Sequence, residues 1–141
     1  LRPIVETICA AVARSPRAEG KGFDIDVDPA LEARIDRADL EELLGALIDN
    51  AARHARAVVR VAAARENGAL ILEIADDGPG LAPQEAERLA GRGERSDDSP
   101  DGAGLGLALA AEVAAAHGGA LAFARAAEGG LSVRARLAEA G

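Results

Sequence analysis

Tryptophan, tyrosine and methionine are absent from this 141-residue chain, and phenylalanine occurs only twice. A platform for stacking nucleobases is therefore missing, because such surfaces are built from aromatic rings. Lysine occurs once, as Lys21, and the arginines are scattered against a net charge of -8. A chain so charged repels a polyanionic backbone, which excludes nucleic acid as a partner. The single cysteine, Cys9, can close no internal disulfide and has no CxxC partner, which fits a reducing compartment and a plain core position. No uninterrupted apolar stretch approaches the roughly 18 residues of a bilayer span, and no charged segment followed by an apolar one opens the chain. No membrane contact by this stretch is expected.

What the chain has instead is small aliphatic residues. Hydrophobic residues make up 49%, carried by Ala, Leu, Val and Ile. A chain of this length makes one domain, 1–141, able to bury roughly two thirds of its unfolded surface. Its abrupt start at Leu1-Arg2-Pro3, inside an apparent helix start, suggests a domain of a longer protein.

Ile4, Val5, Ile8 and Val12 recur at helical spacing, which predicts a helix over 3–19 with Pro3 in its first turn. Phe23, Ile25 and Val27 alternate with aspartates as in a half-buried strand. Over 36–56, Leu40, Leu43, Leu44, Leu47, Ile48 and Ala51 form the clearest amphipathic stripe in the chain. Strands are expected at 58–64 and 69–75, joined through Glu66-Asn67-Gly68, and at 120–127 and 131–137, joined through Glu128-Gly129-Gly130. A short helix fits 83–90, a glycine-rich polar loop 91–104, and a further helix 105–117 that stops at Gly118-Gly119. The expected fold is an α+β two-layer sandwich: a mixed, mostly antiparallel sheet of about five strands, covered on one face by about three helices.

Three stretches carry chemistry. In "ADDGPG", 75–80, the strand ends in Asp76, a carboxylate with no basic neighbour in sequence, followed by Gly78 and Gly80 around Pro79. A carboxylate at the tip of a buried strand needs a hydrogen-bonding partner, and the glycines let a flat ligand approach, although an acidic turn has the same composition. In "GAGLGLALA", 102–110, a glycine-rich loop opens a helix whose first N–H groups can hold phosphate oxygens. It matches neither a dinucleotide fingerprint nor a P-loop, and a plain flexible loop reads the same way. On the amphipathic helix, Asn50 falls at the seam between core and solvent, with Arg53 and His54 one turn later. That trio suits a metal-phosphate group; a polar boundary residue beside a solvated Arg is the alternative.

Taken in order, the three stretches resemble the catalytic and ATP-binding domain of bacterial two-component sensor histidine kinases, a Bergerat-fold superfamily that includes the gyrase and Hsp90 ATPase domains. Asn50 and its successors resemble the N box, "DDGPG" the G1 box, and "GAGLGLALAAEVAAAHGG" the G2 box with its helix; "LEARIDRADLEELLGALIDNAARHA" resembles the lead into the N box. The resemblance implies ATP and Mg²⁺ as ligands. Asp76 would accept the hydrogen bond of adenine's exocyclic amine, with Gly78 and Gly80 clearing space, and Asn50 would hold Mg²⁺. Arg53 would approach the phosphates and His54 the purine or ribose. Gly102, Gly104, Leu105, Gly106 and Leu107 would border the triphosphate, with Arg92 and Arg95 near it in a lid.

The same resemblance implies γ-phosphoryl transfer to a histidine on a separate dimerisation domain of the parent, and thence to a response regulator. It also implies a cytoplasmic, monomeric domain whose parent can be anchored in the inner membrane. His54 and His117 lack the H-E-x-x-T-P-like setting of a phosphoacceptor. Two departures stand out. Ala46 replaces the Asn or Glu usual four residues before the metal ligand, which argues against efficient hydrolysis, and "LAGRGER", 89–95, has no Phe where the F box has one. An anti-sigma-factor-type serine kinase, a degenerate nucleotide-binding pseudokinase and a purely structural module are the other readings.

Overall fold

The computed structural model of the chain describes residues 1–79, 82, 84–85, 87–88 and 103–139, and at 103–105 the backbone alone. The first helix, α1, spans Arg2–Ala13 and buries Val5 and Cys9. It ends well before the expected position 19. Pro16 disfavours helical geometry at Ser15, and a short 3-10 turn, Pro16–Ala18, follows under a Ser15 side-chain cap.

Helix α2 spans Arg37–His54, with the Asp36 side chain accepting the Asp39 N–H at 3.1 Å at its start. Its leucine stripe is buried as the periodicity predicts. At its other end, Lys21 Nζ donates to the Ala52 carbonyl at 2.6 Å, placing a cation at the negative pole of the helix. Helix α3 spans Ala103–Ala116. The expected helix at 83–90 falls largely outside the described residues.

Five strands follow the sequence pattern: β1 (Gly22–Asp26), β2 (Val58–Glu66), β3 (Ala69–Asp76), β4 (Ala120–Arg125) and β5 (Leu131–Ala138). They form one sheet in the order β1-β2-β3-β5-β4. Only β1 and β2 run parallel, with Phe23 opposite Val59 and Ile25 opposite Val61, and α2 supplies the crossover between them. The other pairs are antiparallel. The predicted sandwich is what is found.

The three helices cover one face. Leu40, Leu43, Leu44, Leu47 and Ile48 of α2 join Val59, Val61, Leu72, Ile74, Val133, Leu137 and Leu107 in a single aliphatic core. Each Leu or Ile withdrawn from water contributes ~1.5–3 kcal/mol, which lets a core without large aromatics hold the layers together. On the opposite face, strand residues alternate to Arg60, Ala62, Glu73, Ser132 and Arg134, in register Ala62–Glu73 and Glu73–Arg134. The last residues of β3 and α2 meet at one end of the molecule.

Candidate functional site

Asp76 ends β3 with 1% of its surface exposed. Its Oδ1 accepts the Gly78 N–H at 2.9 Å, and among the described residues no Lys or Arg pairs with it. Burial pushes its pKa up; the N–H groups of Gly78 and Leu131 and the neighbouring His54 pull the other way without cancelling that effect, and Asp77 adds to the rise. The turn after it is tightly packed. A Cβ at Gly78 would overlap the His54 carbonyl, so glycine is what allows this turn to lie against the end of α2.

The adjacent Asp77 fixes the same junction. Its Oδ1 accepts N–H groups from Arg56 at 2.8 Å, Ala57 at 3.1 Å and Val58 at 3.3 Å, tying the turn to the segment that links α2 to β2. These contacts hold its pKa down, Ala57 first. Sequence reasoning noted the paired carboxylates but gave Asp77 no role. It also missed Gly130, whose N–H donates to the Asp76 carbonyl at 3.1 Å and whose missing Cβ leaves the space that Asp76 Oδ1 occupies. The signal available was the Gly129-Gly130 pair, read only as a hairpin turn.

Asn50 was expected at the core–solvent seam, yet it is 4% exposed, and its Oδ1 is buried without a partner among the described residues. Helix α3 packs along α2. A Cβ built at Gly106 would lie 3.6 Å from the Ala46 carbonyl, an ordinary contact that leaves the small side chain of Ala46 at the crossing. His54 Nε2, one turn beyond Asn50, is likewise enclosed without a partner among the described residues. Leaving such atoms unpaired is costly, so two on one flank of a helix, beside a buried carboxylate, point to a polar occupant. An amide oxygen of this kind fits the hard-oxygen preference of Mg²⁺.

Arg53 is less available than expected. Its Nε donates to Asp49 Oδ2 at 3.0 Å, and Arg17 approaches the same carboxylate at 3.9 Å. Gly104, Leu105 and Gly106, expected in or beside a loop, lie in the first turns of α3, and Leu107 is fully buried in the core. Leu and Ala favour helix strongly enough to draw the intervening glycines in. Gly80, Arg92, Arg95 and Gly102 lie outside the described residues. His117 is bound to Asp39 at 2.8 Å, tying the end of α3 to the start of α2, as suits a structural histidine.

Surface hollows of about 400, 440 and 490 Å³ lie on the open face of the sheet and contain none of these residues. In two of them Arg60 and Glu73 are already paired with each other, whereas at Asn50 and His54 buried polar atoms are left over; unmet bonding capacity is the stronger mark of a ligand site.

Residues 35–141 match the family model described as histidine kinase-, DNA gyrase B-, and HSP90-like ATPase. The two-component sensor PhoQ of Pseudomonas aeruginosa is 36% identical over 138 residues, covering 98% of this chain and 31% of that protein. The sensor protein kinase CarS of the same organism is 41% identical over 109 residues, covering 77% of this chain and 24% of that protein. The chain thus spans a third or less of the length of these relatives. Among solved structures, the mycobacterial sensor histidine kinase MprB superposes with a TM-score of 0.80 at 29% identity, covering 96% of this chain and 92% of that one. The ATP-binding domain of PrrB from Mycobacterium tuberculosis gives a TM-score of 0.73 at 24% identity, covering 99% and 93%, a likeness of fold. These structures share the arrangement of three helices on a five-stranded mixed sheet.

Proposed function

The chain belongs to the histidine kinase-, DNA gyrase B-, and HSP90-like ATPase family, and from that premise we propose that it binds Mg²⁺-ATP and passes the γ-phosphoryl group to a histidine on a dimerisation domain of its parent protein. The observation that carries this reading is Asp76, a carboxylate with 1% exposure held by backbone N–H groups rather than by a cation. Its remaining acceptor capacity suits the exocyclic amine of adenine; guanine presents a carbonyl at that position and is rejected.

At the phosphate end, the unpartnered Oδ1 of Asn50 is the protein's ligand for Mg²⁺. When bound, Mg²⁺ supplies charge neutralisation for phosphoryl transfer. The chain's own residues bind and orient. Asp76 selects the base, Gly78 and Gly80 leave room beside it, and His54 Nε2 offers a polar contact on the nucleoside side. The free N–H groups at the start of α3, around Gly104, Leu105 and Gly106, face anionic oxygens together with those of Gly102, and Leu107 anchors that turn in the core. Arg53, neutralised by Asp49 in the free chain, is drawn toward the triphosphate, with Arg92 and Arg95 adding charge.

Neither histidine has the H-E-x-x-T-P-like setting of a phosphoacceptor, and His117 is held by Asp39. The acceptor histidine and, after it, a response regulator lie elsewhere. Ala46 gives no general base across from Gly106, so water is activated poorly and the phosphoryl group is conserved for protein transfer. We place the chain on the cytoplasmic side of its parent, where ATP is supplied.

Calorimetry with ATP and Mg²⁺ should give one site with a Kd in the ~micromolar to millimolar range of enzyme substrates. Absence of adenine-nucleotide binding overturns the reading. With γ-labelled ATP, the chain alone should remain unlabelled, and acid-labile label should appear on the parent's added dimerisation domain. Label on His54 or His117, or acid-stable label on a partner's serine, refutes histidine transfer.

A further inference from the structure

Across the sheet from the helices, the ATP reading leaves a half-buried ion network without a role. Arg60 of β2 donates from Nε to Glu128 Oε2 at 2.5 Å, from Nη2 to Glu128 Oε1 at 3.5 Å, and from Nη1 to Glu73 Oε1 at 2.8 Å. Glu73 Oε2 in turn accepts from Ser132 at 2.9 Å and Arg134 at 3.2 Å. The Arg60, Glu73 and Glu128 side chains are 24%, 18% and 22% exposed, so these charges give up much of their hydration to meet.

Glu128 sits in the turn between β4 and β5, and β2 is adjacent to neither strand. Arg60 therefore reaches across β3 to hold that turn, and the hydrogen bonds joining β2 to it among the described residues both come from its guanidinium. The far side of the same turn is the floor under Asp76. Gly130 donates to the Asp76 carbonyl at 3.1 Å, Asp76 Oδ1 fills the space a Gly130 side chain would take, and the Leu131 N–H bears on the same carboxylate. Within the turn, Ala126 N–H donates to Gly130 O at 2.7 Å, Gly129 N–H to Ala126 O at 2.9 Å and Arg125 Nη1 to Gly129 O at 3.3 Å; all three are local to the hairpin, so its height against Asp76 depends on what grips it from outside.

We propose that Arg60 and Glu128 are positioning residues for base recognition, holding the β4–β5 turn against Asp76 from the opposite face of the sheet. The inference rests on the assignment of Asp76 as the adenine-binding carboxylate. A small displacement of a recognition group is enough to lower affinity strongly, and Glu128, bonded to Arg60, is not among the residues assigned to the nucleotide.

The test is calorimetric titration of ADP into the unaltered chain, Glu128→Ala, Glu128→Gln and Arg65→Ala. Arg65→Ala removes a comparable pair, Arg65–Glu139 at 2.6 Å, at the other end of β2 and serves as the stability control. Glu128→Ala should weaken ADP binding about tenfold at unchanged stoichiometry, Glu128→Gln by less because it keeps an acceptor for Arg60, and Arg65→Ala not at all. Stoichiometry counts folded sites and Kd reads their quality, so a merely structural role lowers the first and spares the second. ADP binding by Glu128→Ala within twofold of the unaltered chain overturns this inference alone; failure of the unaltered chain to bind overturns the ATP reading and this inference with it.

Discussion

Burial raises the pKa of Asp76 from its ordinary value, so the fold holds its charged form at some disadvantage. A group whose folded pKa is raised stabilises the protein while it keeps its proton: the contribution is complete below the unfolded pKa and lost as pH rises through the folded one. At neutral pH the carboxylate therefore destabilises the free chain, a cost that the proposed role in base recognition accounts for. Asp76→Asn removes the charge and retains an oxygen for the Gly78 N–H, but turns an amide NH₂ toward adenine's amine. The expected outcome is an unliganded Tm equal to or above that of the parent chain, together with loss of ATP binding by calorimetry. A lower Tm with ATP binding retained would contradict the assignment. The place of Asp76 at the end of a buried strand was readable in advance, because an Asp pair after an apolar run and before Gly-Pro-Gly is a local pattern. Asn50 was placed correctly along α2 but not in depth, since burial on that flank of the helix depends on which distant segments the fold brings over it.

At the scale of elements, the site exists because two ends are locked together. Asp77 binds three successive N–H groups of the segment leaving α2, and Gly78 lies against the His54 carbonyl at the end of that helix. The spacing between Asn50 on α2 and Asp76 on β3 is set there. Asp77→Ala should cost about 1 kcal/mol, as for loss of a helix-capping side chain, because the freed N–H groups are near water. Hydrogen exchange should accelerate at Arg56, Ala57 and Val58 while the β2–β3 hairpin stays protected; unchanged exchange at those amides would rule out the latch. Elements formed by short-range patterns were legible: the leucine stripe gave α2, and Asn67-Gly68 gave the hairpin. The Asp77 latch, the Arg53–Asp49 pair and the Gly130 contact were not, because each depends on which neighbours the fold brings near. The shortening of α1 was legible in principle, as Pro16 marks it.

For the whole molecule, pH acts through several carboxylates in one direction. Glu128 and Glu139 are held below the usual range by Arg60 and Arg65, and Asp77 by the N–H of Ala57 and its neighbours. In Glu73 burial raises the pKa, but Arg60, Ser132 and Arg134 together outweigh it. Depressed groups contribute stability above the unfolded carboxylate pKa, ~4.3 for Glu, and lose it as pH falls through the folded values. Asp76 opposes them, gaining a proton favourably, but it is one group against four. The net charge of -8 also relaxes toward zero on acidification, which lessens self-repulsion, an effect that salt screens over ~10 Å at 0.1 M. The half-buried Arg60 network is screened less. Urea midpoints should therefore change little from neutral pH to about pH 5 and fall steeply below ~pH 4, where the paired carboxylates are protonated. Added salt should leave the acid limb in place. A midpoint that climbs steadily from neutral pH to a maximum near the isoelectric point of about 4.8 would mean that charge repulsion, not the ion network, governs the stability of this fold.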